Sequence, residues 1–444
     1  GSASWDTALG TDGGGNVDAD PMFVDAAGRD YALLPGSPCI DAALTNEAGY
    51  RDTDADGHAR YDDPAAPNAD VDSSEAPDIG AFEYSQIYID IDGNDSSGTG
   101  RPDAPYATIQ QGIDRAQRGG EVVILGGTYA TPAVYAGAGN TDLTFRDKQI
   151  TVRSGKPESP DLTVIDGGGE GRGVLFNAGE TADSILQGIT IRNGGHVYGG
   201  GIACEGGASP TIERCILDSN TAYTAEGSMG YGGGLYVAEG SPRLIDCEIK
   251  NNTAYMSDGG VYVEGGTDSY PTGLDNRSRG DVLKGGKVGT ALDLSSCRIT
   301  GNMAQGEGGG VYCSMASIKI VDTLISANQA SGGAGMTLQG ASGAQIRRSL
   351  FHLNAANQGD GGGLLSSFSD VDVSNTTFHE NSADSGGAIM VSYGELSARS
   401  VTVTDNEAQT QGGGIMGTYS ATVDLANAIV WGNLGPEGSV DELV

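Results

Sequence analysis

Positive charge is scarce in this sequence: 24 Lys and Arg stand against 59 Asp and Glu, a formal net charge of −35. That balance excludes the basic patches that nucleic-acid phosphates demand and works against anionic membrane surfaces, leaving cations as natural partners. Apolar runs stop well short of the ~18 residues needed to span a bilayer, so no membrane insertion is expected. The apolar fraction of 38% lies below the usual ~45–50%, so any core has to be built in thin, regular layers. There is no Gly-X-Y period, which excludes collagen, and no C-x-x-C among the six Cys, which leaves a cysteine-held zinc unsupported. Helical periodicity long enough for a βαβ crossover is also missing. The chain opens Gly1-Ser2-Ala3 without a basic region and apolar stretch, as expected of a mature or excised segment and not of a secretory leader.

Glycine is abundant instead, 74 of 444 residues, more than twice the average usage of ~7%. It recurs in phase with asparagine. The Asn anchors are Asn193, Asn220, Asn252, Asn302, Asn328, Asn354, Asn381, Asn406 and Asn433. By subtraction they lie 27, 32, 50, 26, 26, 27, 25 and 27 residues apart. Gly-rich anchors such as Gly199-Gly200-Gly201, Gly232-Gly233-Gly234 and Gly308-Gly309-Gly310 interleave with them. Between anchors the residues alternate as strands do, for example Ile212-Glu213-Arg214-Cys215-Ile216-Leu217 and Ile318-Lys319-Ile320. A strand-only repeat of this length predicts a parallel β-helix, each unit one coil and each coil ~4.8 Å above the last. The Asn side chains then form a hydrogen-bonded column, and Gly fills turns that need positive φ.

The repeat resembles the right-handed parallel β-helix proteins of the pectate-lyase-like superfamily, in the branch with polymorphic outer-membrane-protein repeats. The matching motifs are G-G-A-[ILV] at Gly386-Gly387-Ala388-Ile389, and F-x-x-N at Phe351-His352-Leu353-Asn354 and Phe378-His379-Glu380-Asn381. The resemblance covers about residues 85 to 444 and speaks to fold, not chemistry. It implies an all-β, right-handed solenoid. Residues 1–84 resemble the terminal segment that follows the last coil in that group, through Gly15-Asn16-Val17-Asp18-Ala19-Asp20-Pro21, Pro35-Gly36-Ser37-Pro38-Cys39-Ile40-Asp41 and Asp78-Ile79-Gly80-Ala81-Phe82-Glu83-Tyr84. In those proteins the segment lies downstream of an I-x-W-G-N coil, which here is Ile429-Val430-Trp431-Gly432-Asn433. The expected organisation is therefore a separate segment over 1–84, a helix start with a capping helix over 85–160, and coils over 161–444. One subunit's N-terminal segment would complete the next subunit's open last coil, around Trp431, and copies would join head to tail into a filament.

For the capping helix, Thr108 and Gln111 have capping-box spacing, and Ile109, Ile113 and Ala116 share one face. Such a cover protects a strand edge that would otherwise pair with another chain. An insertion of about 24 residues, around Thr267 to Thr290, carries Arg277, Arg279, Lys284 and Lys287, a basic cluster in an acidic chain and a candidate partner surface.

Asp52-Thr53-Asp54-Ala55-Asp56-Gly57, with Asp63 at the twelfth position, is patterned like a calcium loop, although Asp63 is shorter than the usual bidentate Glu. Asp90, Asp92, Asn94 and Asp95 form a second acidic cluster, and Asp18 with Asp20 a third. Calcium is the expected cofactor. Cys215, Cys247 and Cys297 each lie five residues before a repeat Asn, and Cys204 and Cys313 share a column with Val237, Val263 and Leu338, as small core residues do. Adjacent rungs also bring Cα atoms within disulfide range. His352 and His379 sit two before their Asn on neighbouring coils, a pair able to hold a metal but read as solvated surface. The hydrolase motif G-H-G of the superfamily is missing, and Asp218 with Asp246 and Glu248 is only a weak carboxylate signal. The expectation is a non-catalytic, calcium-stabilised extracellular or cell-surface protein. The alternatives are an adhesin binding glycan or protein, and then a polysaccharide lyase or hydrolase.

Overall fold

The computed structural model describes residues 17, 19–27, 30–34, 37–43, 78–81, 86–130, 139–224, 229–257, 259–265, 290–438, 440 and 442. The chain divides into two compact units, one of Gly1–Ile124 with Lys148–Val152, the other of Leu125–Asp147 with Arg153–Val444.

In the first unit an antiparallel hairpin pairs Phe23–Asp25 with Asp30–Leu33, and Leu33, Cys39 and Ile40 form a small core against Phe23 and Ile79. Further on, strands Gln86–Ile89 and Glu121–Ile124 pair in parallel beneath the helix Ile109–Arg115. Its apolar stripe is the expected one, with Ile109, Ile113 and Ala116 buried. Thr108 is the N-cap and accepts from Gln111 N–H at 3.4 Å. The reciprocal half of the box comes from elsewhere: Asp95 accepts from Thr108 N–H at 3.0 Å and from Ala107 N–H at 2.8 Å. Glycine is required within this helix. A Cβ on Gly112 would stand 2.5 Å from Ile89 Cδ1 and 3.0 Å from Val122 Cγ1, so the helix can press onto both strands only without a side chain there.

The second unit is a right-handed parallel β-helix. Its strand pairs are parallel throughout, and each strand bonds to its counterpart one coil away, as Thr190–Arg192 does to Ile216–Asp218 and that strand to Glu248–Lys250. From Leu217 onward each coil repeats one short pattern. An inward aliphatic or Phe (Leu217, Ile249, Ile299, Ile325, Phe351, Phe378) is fully buried. Next comes an outward residue, then a corner residue with φ near +55° (Ser219, Asn251, Ala327, Leu353, Glu380), then an inward Asn. The F-x-x-N motif is this pattern.

Asn220, Asn252, Asn302, Asn328, Asn354, Asn381, Asn406 and Asn433 form one buried column. Asn252 shows the pattern: its Nδ2 donates to Asn302 Oδ1 at 3.0 Å and to the Leu217 carbonyl at 2.9 Å, and its Oδ1 accepts from Asn220 N–H and Nδ2. Each amide is thereby satisfied in a dry interior.

Asn193 does not belong to this ladder. Strand register places it opposite Ser219, at the positive-φ corner (φ 52°), where its exposed Nδ2 donates to both Asp166 oxygens at 3.1 Å. Burial works against the Asp166 carboxylate, but bonds from Asn193 and Arg192 outweigh it and hold its pKa below the ordinary value. The ladder position in that coil is Gly194, where a Cβ would lie 2.0 Å from the Gly200 carbonyl oxygen. No side chain fits.

Cys215, Cys247 and Cys297 do stack, and their thiols donate to carbonyls of the preceding coil, Leu186, Ile212 and Leu244, at 3.4–3.6 Å. The column continues as Thr323, Ser349 and Thr376, whose hydroxyls accept backbone N–H groups from the coil before. All six Cys are free thiols, and burial pushes the Cys215 pKa up to about 12, as befits an inert core thiol. Cys204 and Cys313 hold the predicted column with Val237, Val263 and Leu338.

Candidate functional site

Outward positions of the sheet that contains Ile202–Cys204, Leu235–Ala238, Val261–Glu264 and Val311–Ser314 carry Ala203, Tyr236, Tyr262 and Tyr312 in register. A second column beside it pairs Tyr198 with Tyr231. Tyrosine recurs because one coil length separates these positions, so ring stacks on ring. Tyr236 and Tyr262 lie 5.6 Å apart with 4° between planes, Tyr262 and Tyr312 5.5 Å apart, and Tyr198 and Tyr231 6.2 Å apart with parallel planes. Cross-contacts Tyr198 to Tyr236 at 5.1 Å and Tyr231 to Tyr262 at 4.8 Å join the columns. Each such contact contributes ~0.5–1.5 kcal/mol beyond area burial. Tyr236 Oη donates to Glu264 Oε2 at 3.2 Å, and burial with the Glu264 charge raises the phenol pKa.

At one end of this tyrosine face sits Arg172, which is only 5% exposed. Its Nε lies 3.4 Å from Asp142 Oδ1 and its Nη1 4.0 Å from Glu205 Oε1. Nη2 is 2.7 Å from Nδ1 and 2.8 Å from Nε2 of His196. Nε and Nη1 make no hydrogen bond among the described residues. Leaving buried donors unmade costs ~1–3 kcal/mol each, so these two atoms are poised for a ligand or water oxygen. Burial pushes the Arg172 pKa down, opposed by Glu205 and Asp142. His196 is also held below its ordinary value, first by burial and then by Arg172, and its Nδ1 accepts from Tyr198 N–H at 3.1 Å. An imidazole, a guanidinium and two carboxylates thus converge beside Tyr198, at one end of the tyrosine columns.

Reading by repeat missed this cluster, because its members fall on four different segments. One signal was available: tyrosine recurs at coil spacing.

Other expected site residues lie apart from this face. Asp90 and Asn94 accept backbone N–H bonds from Asp92, Ser96 and Ser97 at 2.8–2.9 Å, so two of that acidic cluster's four side chains cap local turns, and a third, Asp95, holds the helix start. Asp52, Asp54, Asp56 and Asp63 lie outside the described residues, as do Asp18 and Arg277, Arg279, Lys284 and Lys287. Trp431 is 74% exposed. It pairs with Thr404 on the outward column that His352 and His379 share, on the last described strand of that sheet. The ladder's last amide, Asn433 Nδ2, donates to Glu442 Oε2 at 2.7 Å.

A family model described as a right-handed beta helix region matches residues 282–435. No curated protein matches the chain. Among solved structures, pectate lyase Pel9A is 13% identical over 78% of this chain and 78% of its own, with a TM-score of 0.39. A rhamnogalacturonan lyase is 16% identical over 78% and 87%, TM-score 0.36. The GH136 lacto-N-biosidase of Eubacterium ramulus is 10% identical over 81% and 66%, TM-score 0.32. No described helix is long and apolar enough to cross a membrane.

Proposed function

We propose that this β-helix is an extracellular or cell-surface glycan-binding protein whose tyrosine face takes an extended, hydroxyl-rich chain along the solenoid axis. The observation that carries the reading is the surface row of half-buried Tyr198, Tyr231 and Tyr312, backed by the buried Tyr236 and Tyr262 and ending at the two unbonded donors of Arg172. Phenol edges and hydroxyls repeat there at coil spacing, which suits a polymer whose polar groups also repeat, and Arg172 supplies a fixed anchor at one end. In affinity electrophoresis against a panel of polysaccharides, at least one should retard the chain, and Tyr231→Ala and Tyr198→Ala should each weaken that retardation about tenfold. No retardation by any polymer, or retardation indifferent to both changes, would refute the reading.

A second reading, glycan cleavage, is favoured by Asp142 and Glu205 flanking a buried arginine beside a neutral imidazole. Release of new reducing ends or unsaturated products from the polymer that binds, abolished by Asp142→Asn, would select it. Two further roles are proposals that this face does not bear on: calcium at Asp52, Asp54, Asp56 and Asp63, checked by a lower melting temperature in EGTA, and a partner surface at Arg277, Arg279, Lys284 and Lys287, checked by neutralising those four.

A further inference from the structure

His352 and His379 are in register on adjacent strands, Leu350–His352 and Thr377–His379. Their rings stack 5.3 Å apart with 4° between planes. Glu380, the next residue, turns the corner with φ 53°, which brings its carboxylate back across both rings. Its Oε2 is 3.1 Å from His352 Nε2 and its Oε1 is 3.6 Å from His379 Nε2. One donor atom from each of the three residues lies within 4.8 Å of the others.

The orientation of His379 is set from behind. Its Nδ1 is 3.3 Å from the Thr404 carbonyl oxygen and 3.5 Å from Asp405 Oδ2. Both are acceptors, so Nδ1 donates to one of them and Nε2 is the nitrogen turned towards Glu380, where a metal ion would stand in place of the proton that a bond to the carboxylate needs. A metal-binding imidazole is commonly oriented in this way by a bond from its other nitrogen.

We propose that His352, His379 and Glu380 form a site for one divalent ion of the zinc class, clipping two adjacent coils together. Bonds of about 2.0–2.2 Å to imidazole nitrogen and carboxylate oxygen place tetrahedral neighbours roughly 3.3 Å apart, and the two carboxylate contacts bracket that value. The wider separation closes by rotation of half-exposed rings. Two imidazoles and one carboxylate select zinc, cobalt or nickel over calcium and magnesium, which prefer all-oxygen shells. Three protein ligands leave the remaining positions to water. The site is independent of the tyrosine face.

Titration calorimetry of the full chain with zinc sulfate, freed of any affinity tag and kept in millimolar calcium to occupy exposed carboxylates, should show one saturable equivalent. Melting temperature should rise with zinc, because the ion binds the folded coils only. Cobalt should give visible absorption bands with the same stoichiometry. Glu380→Gln should weaken binding about tenfold, and His352→Gln with His379→Gln at least a hundredfold, while circular dichroism stays unchanged. A wild-type chain with no saturable equivalent would reduce the cluster to an ion-pair shelf, and zinc binding that survives the double histidine change would assign it to the acidic surface at large. Either result overturns the site.

Discussion

A single amide in this fold is worth more than its size implies, because each ladder Asn serves three coils. Asn302→Ala removes the acceptor of Asn252 N–H and Nδ2 and the donor to Asn328 and to the Ile249 carbonyl. With buried donors left unmade at ~1–3 kcal/mol each, the loss should be roughly 3–5 kcal/mol by urea denaturation. Asn193→Ala, at an exposed corner, should cost under about 1 kcal/mol. Equal losses would mean the ladder begins one coil earlier than described. The two asparagines look alike in sequence, and only strand register separates them, since a shift of one residue exchanges an inward for an outward place. Charge gives a second residue-scale test. Burial, followed by the neighbouring Asp360, raises the Glu307 pKa, and burial does the same for Asp360. A raised carboxyl pKa favours the protonated folded form, so this contribution to stability is present below the ordinary carboxyl values of 4.5 and 3.8 and is lost as pH rises through the folded values. Glu307→Gln should therefore raise the melting temperature by a few degrees at pH 7 and have little effect in acid. An equal effect at both pH values would rule out this titration.

Elements here are short, three to five residues in most cases, and stability comes from stacking one on the next. The helix Ile109–Arg115 is the exception and depends on Gly112; Gly112→Ala should lower the melting temperature, since backbone would have to retreat from Ile89 and Val122, against the ~1 kcal/mol gain in helix propensity. A rise would show that the helix rides higher than described. The long insertion gives a cleaner case. Glu264 pairs with Ser314 and Ala291 with Ser317, so Gly265 and Thr290 fall opposite Met315 and Ala316. Deleting residues 266–289, 24 in all, turns the spacing Asn252 to Asn302 from 50 to 26 and leaves a two-residue corner like its neighbour. The shortened chain should fold with an unchanged β-sheet circular dichroism spectrum, and loss of cooperative melting would mean the insertion props the coil. Period, helix, insertion and the ladder from Asn220 onward were legible in sequence, because each is a spacing rule, and Asn193 shows where that rule slips by one residue. The Asp95 bond to the helix start was not, since it joins residues that follow no repeat.

At the scale of the molecule, legibility divides along the same line. The solenoid is local order summed over neighbours, whereas the Arg172 cluster and the tyrosine face require knowing which coils lie side by side and which residues point outward. Assembly poses the same problem. On the outward columns of the last described coils, Ile429 and Trp431 are exposed apolar side chains on one strand, preceded in register by Thr402 and Thr404. Head-to-tail joining with Trp431 at the junction is one proposal, and a lateral contact through the same exposed indole is the other. Lateral pairing would bury an indole and an isoleucine, worth ~1.5–3 kcal/mol each when fully covered, and would set two chains of net charge −35 side by side. Their mutual repulsion is screened beyond a Debye length of ~8 Å at physiological ionic strength. Self-association through this face should therefore strengthen with added salt, whereas contact through a basic insertion and an acidic surface should weaken. Sedimentation velocity across a salt series decides between them: Trp431→Ser with Ile429→Ser should abolish a salt-promoted dimer, and association that survives the double change and fades with salt would return the interface to Arg277, Arg279, Lys284 and Lys287.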